Sequence, residues 1–165
     1  MARVLIAYET KHGSTLHTAG EMAEQIRRAK HQAEVRRSRE VKDLEGYDAV
    51  ILGAPLYYGR WNGDAAKFVK RHRSALSGVP FRVFALGPTT ADRDDESYVR
   101  EGERLRAALE KAGSPPNASV ELFGGVIDPA KLHFPFSRME PGDWRPWPLI
   151  EGWVDGLIRE LGGVG

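Results

Sequence analysis

Val4-Leu5-Ile6-Ala7-Tyr8-Glu9-Thr10-Lys11-His12-Gly13-Ser14-Thr15-Leu16-His17-Thr18-Ala19 is the stretch on which the fold turns. Its first five residues are an unbroken apolar run, the pattern of a short strand buried on both faces. The run stops at Glu9, and from Ser14 onward Ala19, Met22, Ala23 and Ile26 fall at helical spacing. Ser14 is expected to cap that helix, and Arg27, Arg28 and Lys30 at its far end suit the helix dipole. Between strand and helix lie Thr10, Lys11, His12, Gly13, Ser14 and Thr15: three hydroxyls, one lysine, one histidine and one glycine. The first amides of a helix lack intrahelical partners, and the dipole there favours an anion. Hydroxyls add short neutral donors and Gly13 permits close backbone approach, which together make a mononucleotide phosphate cradle in chemical terms. A polar turn ahead of a helix has much the same composition. The spacings GxxxxGK(S/T) and GxGxxG are both absent, which weakens nucleoside triphosphate and dinucleotide readings.

The remainder of the chain alternates in the same way. Ala33 to Arg37 reads as a charged edge strand, and Tyr47 to Gly53 as a second buried strand. Pro55 and Gly59 are expected to break regular structure after it, before a helix over 63–74 with Ala66, Phe68 and Val69 turned inward. Phe81 to Leu86 is a third buried strand, 96–112 a helix stopped by Gly113-Ser114-Pro115-Pro116, and Val120 to Phe123 a fifth strand. A proline-rich segment over 128–148 precedes a last amphipathic helix with Leu149, Ile150, Trp153, Leu157 and Ile158 apolar. Alternating strands and helices argue an α/β fold, a five-stranded parallel sheet with helices on both faces. In such sheets ligands bind beyond the carboxyl ends of the strands, where the winding reverses. That selects three loops: 9–15, 54–61 and 87–94.

Composition narrows the classes. With 165 residues, 41% of them apolar and 28% charged, the chain is long enough for one domain with a full core. Cysteine is absent, which removes thiol catalysis, thiolate metal sites and CxxC redox chemistry, so a redox role would need a bound cofactor. A net charge of +1 supplies no global field for nucleic acid. The basic stretches over 27–39 and 67–73 read as solvated faces. No apolar run reaches the ~18 residues of a membrane span, and Glu9 interrupts the first one too early for a signal peptide, so a cytoplasmic location is expected.

The stretch Tyr8 to Ala19 resembles the flavodoxin signature: an aromatic, any residue, Ser/Thr, two residues, a small residue, any residue, Thr, three residues, Ala. Ala7 departs from the bulky residue usual there, and Met22 stands where a branched aliphatic is usual. The resemblance implies a single flavodoxin-like domain over 1–165, a three-layer sandwich with strand order 2-1-3-4-5, and riboflavin 5′-phosphate (FMN) as cofactor. Thr10, Lys11, His12, Gly13, Ser14 and Thr15 would then hold its phosphate. The segment Asp48 to Gly59 looks like the one that lies along the isoalloxazine ring in that family. Pro55, Leu56, Tyr57, Tyr58 and Gly59 would flank the ring, with Trp61 as a further wall, because a flat apolar face needs aromatic or aliphatic cover with backbone groups beside it. Gly59 would let a peptide group turn toward the ring. Gly87, Pro88, Thr89 and Thr90 follow the third buried strand, where the family places another ring-contacting loop.

Tyr57-Tyr58-Gly59-Arg60-Trp61, then Ala66-Lys67-Phe68-Val69-Lys70-Arg71-His72, is similar to the menaquinone-dependent protoporphyrinogen oxidase branch of that superfamily, and Phe123-Gly124-Gly125 with its aromatic continuation is loosely so. The implied activity is an FMN-dependent oxidoreductase of protoporphyrinogen oxidase or quinone reductase type, passing electrons through flavin N5. Its partners would be a redox protein, a quinone or a small-molecule donor or acceptor. The branch's long basic insertion is compact here, over 131–148. Phe134, Phe136, Met139, Trp144 and Trp147 would form a lid, an apolar patch for peripheral membrane contact, or a loop pinned under the last helix. A dedicated electron carrier and a flavin-free interaction module are the rival readings. A phosphoacceptor module would need an aspartate at the carboxyl end of the third strand, but Asp48 stands at its start and Gly53-Ala54-Pro55 at its end.

Overall fold

The chain is described over residues 1–162 by a computed structural model. Its elements run β1 (Arg3–Tyr8), α1 (Ser14–Arg28), β2 (Gln32–Arg37), β3 (Ala49–Tyr57), β4 (Arg60–Trp61), α2 (Gly63–Arg71), α3 (Arg73–Leu76) and β5 (Phe81–Leu86). They continue through α4 (Glu96–Lys111), β6 (Ala118–Phe123), β7 (Val126–Ile127), β8 (Gly142–Asp143) and α5 (Trp147–Gly162). Five parallel strands stand in the order β2-β1-β3-β5-β6, which is the expected 2-1-3-4-5 arrangement once the short β4 is set aside. β4 adds a sixth strand, antiparallel to the end of β3, and β7 and β8 form a separate two-stranded ribbon.

The period-two alternation of the strands divides the core into two layers. Val4, Ile6, Ile51 and Phe84 face α1 and α5 and pack with Met22, Ile26, Val154 and Leu157. Leu5, Val50, Leu52 and Val83 face the other way, against Phe68, Val69, Leu105 and Leu109 of α2 and α4. Ala7 and Met22, the two departures from the family signature, are fully interior. Gly53 pairs with Phe84, and a Cβ there would collide with the Phe84 ring, so the glycine makes room for an aromatic to lie across the sheet. The chain moves from β1 outward to β2 and returns on the other side of β1 as β3, so the winding reverses between β1 and β3.

Several sequence expectations are corrected. β3 does not stop at Gly53 but runs through Pro55 to Tyr57. Gly53 O accepts from Glu9 N at 3.0 Å on the β1 side, and Pro55, two residues on, shares that orientation just past the last paired residue of β1. Its missing N–H therefore interrupts no ladder. The helix expected over 63–74 breaks at His72 into α2 and α3, and Ala65 rather than Ala66 is its fully buried alanine. Ser14 does not cap α1: the N-cap is Gly13, in the left-handed region at φ 97°, and Ser14 is the first helical residue. In α5, Leu149 faces out, while Val154 and Leu161 take buried places that the sequence reading did not assign. No described helix is long and apolar enough to cross a membrane.

Candidate functional site

The carboxyl ends of β1, β3 and β5 bring the loops 9–15, 54–61 and 87–94 to one edge of the sheet. In the first, Thr10 Oγ1 accepts from Gly13 N at 2.9 Å, closing the turn that forces Gly13 into positive φ. The first helical bond is His17 N to Gly13 O at 3.0 Å, so the amides of Ser14, Thr15 and Leu16 precede the ladder and point out of the helix end. Thr18 Oγ1 donates back to Ser14 O at 2.8 Å. Thr15 is 1% exposed, yet its Oγ1 has no hydrogen-bond partner. A buried hydroxyl left unpaired costs about 1–3 kcal/mol. His12 is only partly exposed, and burial, with Lys11, Lys131 and His133 nearby, pushes its imidazole below the ordinary value.

The second loop is a two-residue hairpin. Tyr57 pairs with Arg60, and Tyr58 and Gly59 between them have φ of 51° and 73°, the double positive φ of a type I′ turn. Tyr58 is 81% exposed and, as a bulky residue in the left-handed region, carries strain. Tyr57 is half-exposed, with the Lys11 ammonium 5.7 Å from its ring centroid and the His12 ring edge-on at 6.2 Å. Burial raises the Tyr57 phenol above its usual range. Leu56 and Trp61, expected as walls, turn instead into the core, at 2% and 8% exposure. Pro55 is buried, so only the two tyrosines present rings to the edge.

The third loop is pinned by its backbone. Gly87 N donates to Phe123 O at 3.2 Å and Gly125 N to Pro88 O at 2.7 Å. Pro88 is buried, Thr89 is exposed, and Thr90 Oγ1 is taken by Asp92 N at 3.1 Å, which leaves Thr89 as the free hydroxyl of the pair. Beneath Gly87 lies Glu101 of α4, whose Oε2 is buried without a partner; burial raises its pKa, opposed by Arg104 and Arg100.

Sequence reasoning missed two cations of the segment 128–148, which crosses this edge. Lys131 Nζ donates to His12 O at 3.2 Å. Arg145 Nη1 lies 2.8 Å from His17 Nδ1 and 3.3 Å from Thr18 Oγ1, held by bonds to both carboxylate oxygens of Asp143. That pairing pulls the Asp143 carboxyl below its usual range. Lys131 and Arg145, with Gly13, Ser14 and His17, line a cavity of about 170 Å³ at the start of α1. No local periodicity in the segment marks either residue. The one sequence signal is Gly124-Gly125: a Cβ at Gly124 would collide with the Trp144 carbonyl, so the glycine pair lets the segment fold back onto β6. Of the apolar residues of the segment, Phe136 lies 6.2 Å from Tyr58, Trp147 stands edge-on to His17 at 6.0 Å, and Phe134, Phe136 and Met139 are exposed. The segment therefore bridges the first two loops.

A second cavity, about 220 Å³, lies on the opposite side of the first loop, bounded by Thr10, Lys11, Arg37, Arg39, Tyr57 and Arg60. The basic stretch 27–39 is thus not wholly a solvated face. Arg27 is, pairing with Glu24 at 2.6 Å, whereas Arg37 and Arg39 reach this cavity.

Comparison with known proteins follows the same outline. The family model described as Flavodoxin domain matches residues 5–139. Protoporphyrinogen IX dehydrogenase [quinone] of Escherichia coli (strain K12) is 27% identical over 105 residues, covering 59% of this chain and 58% of that protein. NAD(P)H dehydrogenase (quinone) of Paraburkholderia phymatum is 30% identical over 116 residues, covering 54% of this chain and again 58% of the relative. The match thus spans under two thirds of the length of these curated relatives. Among solved structures, a Fusobacterium nucleatum flavodoxin bound to flavin mononucleotide superposes with a TM-score of 0.56 at 18% identity, over 99% of this chain and 98% of that one.

Proposed function

The chain belongs to the flavodoxin domain family, and from that premise we propose that it is an FMN-binding redox protein acting as an oxidoreductase on a quinone or another small-molecule donor or acceptor. The observation that carries the reading is Thr15: a hydroxyl buried without a partner, at the positive end of α1, among three outward amides. A phosphate dianion supplies the acceptors those groups lack and is favoured by the dipole. Lys131 and Arg145 reach the same place, each with a carboxylate beside it, Asp128 at 3.9 Å and Asp143 at 2.7 Å, and Thr10 holds Gly13 in the conformation that opens the cradle. Tyr57 and Tyr58 offer ring faces, the backbone of Gly87 to Thr89 offers polar contacts, and Phe136 stands beside Tyr58 at the same edge. Bound FMN supplies reversible electron transfer through its ring; the chain binds it, orients it and controls what reaches it. The relatives named as quinone-using dehydrogenases support an enzyme over a dedicated carrier. So does the net charge of +1, since carriers of this fold are commonly acidic to match basic partners.

The test is a visible spectrum of the aerobically purified protein and a titration of the apo form with FMN, followed by flavin fluorescence. Oxidised-flavin bands and one-to-one quenching are expected, with both lost in Thr10→Asp/Thr15→Asp because two carboxylates then face the phosphate. A colourless protein that leaves FMN emission unchanged at micromolar concentration would overturn the reading.

A further inference from the structure

We propose that the second cavity is an anion site for the redox substrate, in which Lys11, Arg39 and Arg60 receive a carboxylate or phosphate carried by a flat conjugated molecule. The inference rests on the flavin reading above and adds to it the class of molecule that meets the flavin.

Most of the charge on one side of the cavity is already engaged. Glu9 is 3% exposed and fully occupied: Ser38 Oγ donates to it at 2.6 Å, Arg39 N at 3.2 Å, and Arg37 pairs with it at 3.6 Å. The Arg37 charge is therefore balanced. Lys11, Arg39 and Arg60 line the same space, and none of them forms an ion pair with a described residue. Asp64 is the one other carboxylate in the lining, and it sits in the first turn of α2, where the helix end already favours it. Three uncompensated cations facing one concavity attract an anion more strongly than the same charges spread over a surface, because low-dielectric walls focus their field.

The geometry is also preorganised. Glu9 anchors the backbone of Arg39 from below, so the guanidinium is presented from a fixed base rather than a mobile loop. Arg60 leaves the rigid type I′ hairpin. Guanidinium groups match the planar oxyanion of a carboxylate or the oxygens of a phosphate. Tyr57 supplies an aromatic wall under the Lys11 ammonium, against which a conjugated body can lie. The volume, about 220 Å³, is below the ~300–1,000 Å³ of a complete small-molecule pocket, so it suits the acidic end of a ligand whose remainder lies outside. Thr10, Pro55 and Tyr57 border this cavity and also belong to the proposed flavin-binding loops, which sets the substrate's acid beside the cofactor.

The test compares wild type with Arg39→Gln/Arg60→Gln, both loaded with FMN, by equilibrium calorimetry in low salt and a trace of non-ionic detergent. Protoporphyrin IX against its dimethyl ester reads the carboxylate; 1-naphthyl phosphate against 1-naphthol reads the phosphate. The expected result is that one of the two acids binds wild type at least tenfold more tightly than its uncharged counterpart. That advantage should vanish in the double variant and shrink at high salt, while the FMN Kd and Tm stay unchanged. Whichever acid shows the advantage identifies the anion. Equal binding of acid and uncharged counterpart, or equal binding by wild type and variant, would overturn the proposal. So would a loss of FMN affinity in the variant, which would assign the cations to the cofactor instead. Absence of FMN binding by wild type would sink the flavin reading alone, because the same acids can still be titrated against the apo protein.

Discussion

Replacing Thr15 by valine keeps the shape of the side chain and removes the hydroxyl that has no partner in the described structure. The two consequences have opposite signs. Without ligand, Thr15→Val should stabilise the protein by about 1 kcal/mol, since a buried unpaired hydroxyl disappears. With FMN, the lost bond to a charged phosphate should cost about 2 kcal/mol, or roughly thirtyfold in Kd. Thermal denaturation and flavin titration on the same variant check both; parallel losses would mean that Thr15 is only structural. The residue types of the first loop were legible from sequence because hydroxyls, glycine and a helix start lie within six consecutive positions. Lys131 and Arg145 were not, since each reaches the loop from more than a hundred residues away through bonds to His12 O and near His17 Nδ1.

At the level of elements, the hairpin after β3 holds a bulky residue where asparagine or glycine is easier. Tyr58→Asn should therefore raise apo-protein stability by about 1 kcal/mol, because an asparagine tolerates the left-handed conformation that tyrosine resists. It should also weaken FMN binding by removing a ring face, so that a higher Tm accompanies a higher Kd. The break between α2 and α3 carries a pH dependence. His72 is buried against Phe68, with ring centroids 4.7 Å apart, and Arg71 Nε donates to its Nε2 at 3.2 Å. Burial, reinforced by the Arg71 charge, lowers its pKa from the ordinary 6.5. The unfolded chain then takes up a proton more readily than the folded one. Stability is complete above pH 6.5 and declines as the pH falls below it. His72→Leu should flatten that acid limb in Tm measured from pH 7 to 5, while substitution of the exposed His133 should leave it in place. The sequence reads as one helix over 63–74 because no glycine or proline stands between residues 64 and 77; the turn at His72 follows from packing.

For the whole molecule, the two core layers meet through the sheet, and Phe84 is their most demanding member, lying over Gly53 and within 6.5 Å of the rings of Phe123 and Trp153. Phe84→Ala should cost about 3–5 kcal/mol, read as a large fall in the denaturant midpoint. Ligand linkage acts on the same scale: FMN at a hundred times its Kd should raise the unfolding free energy by about 2.7 kcal/mol, and Thr10→Asp/Thr15→Asp should abolish the rise. The alternation of strands and helices, the parallel sheet and the three loops at its carboxyl edge were determined by the sequence itself, since hydrophobic period and loop length are local properties and the handedness of crossovers leaves few topologies. The tertiary structure alone decided that Leu56 and Trp61 enter the core, that Arg37 and Arg39 turn from a charged strand into a cavity, and that 128–148 folds back over the first loop. Those outcomes depend on which strand ends become neighbours and on Gly124 accepting the Trp144 backbone, contacts between distant residues that no local spacing encodes.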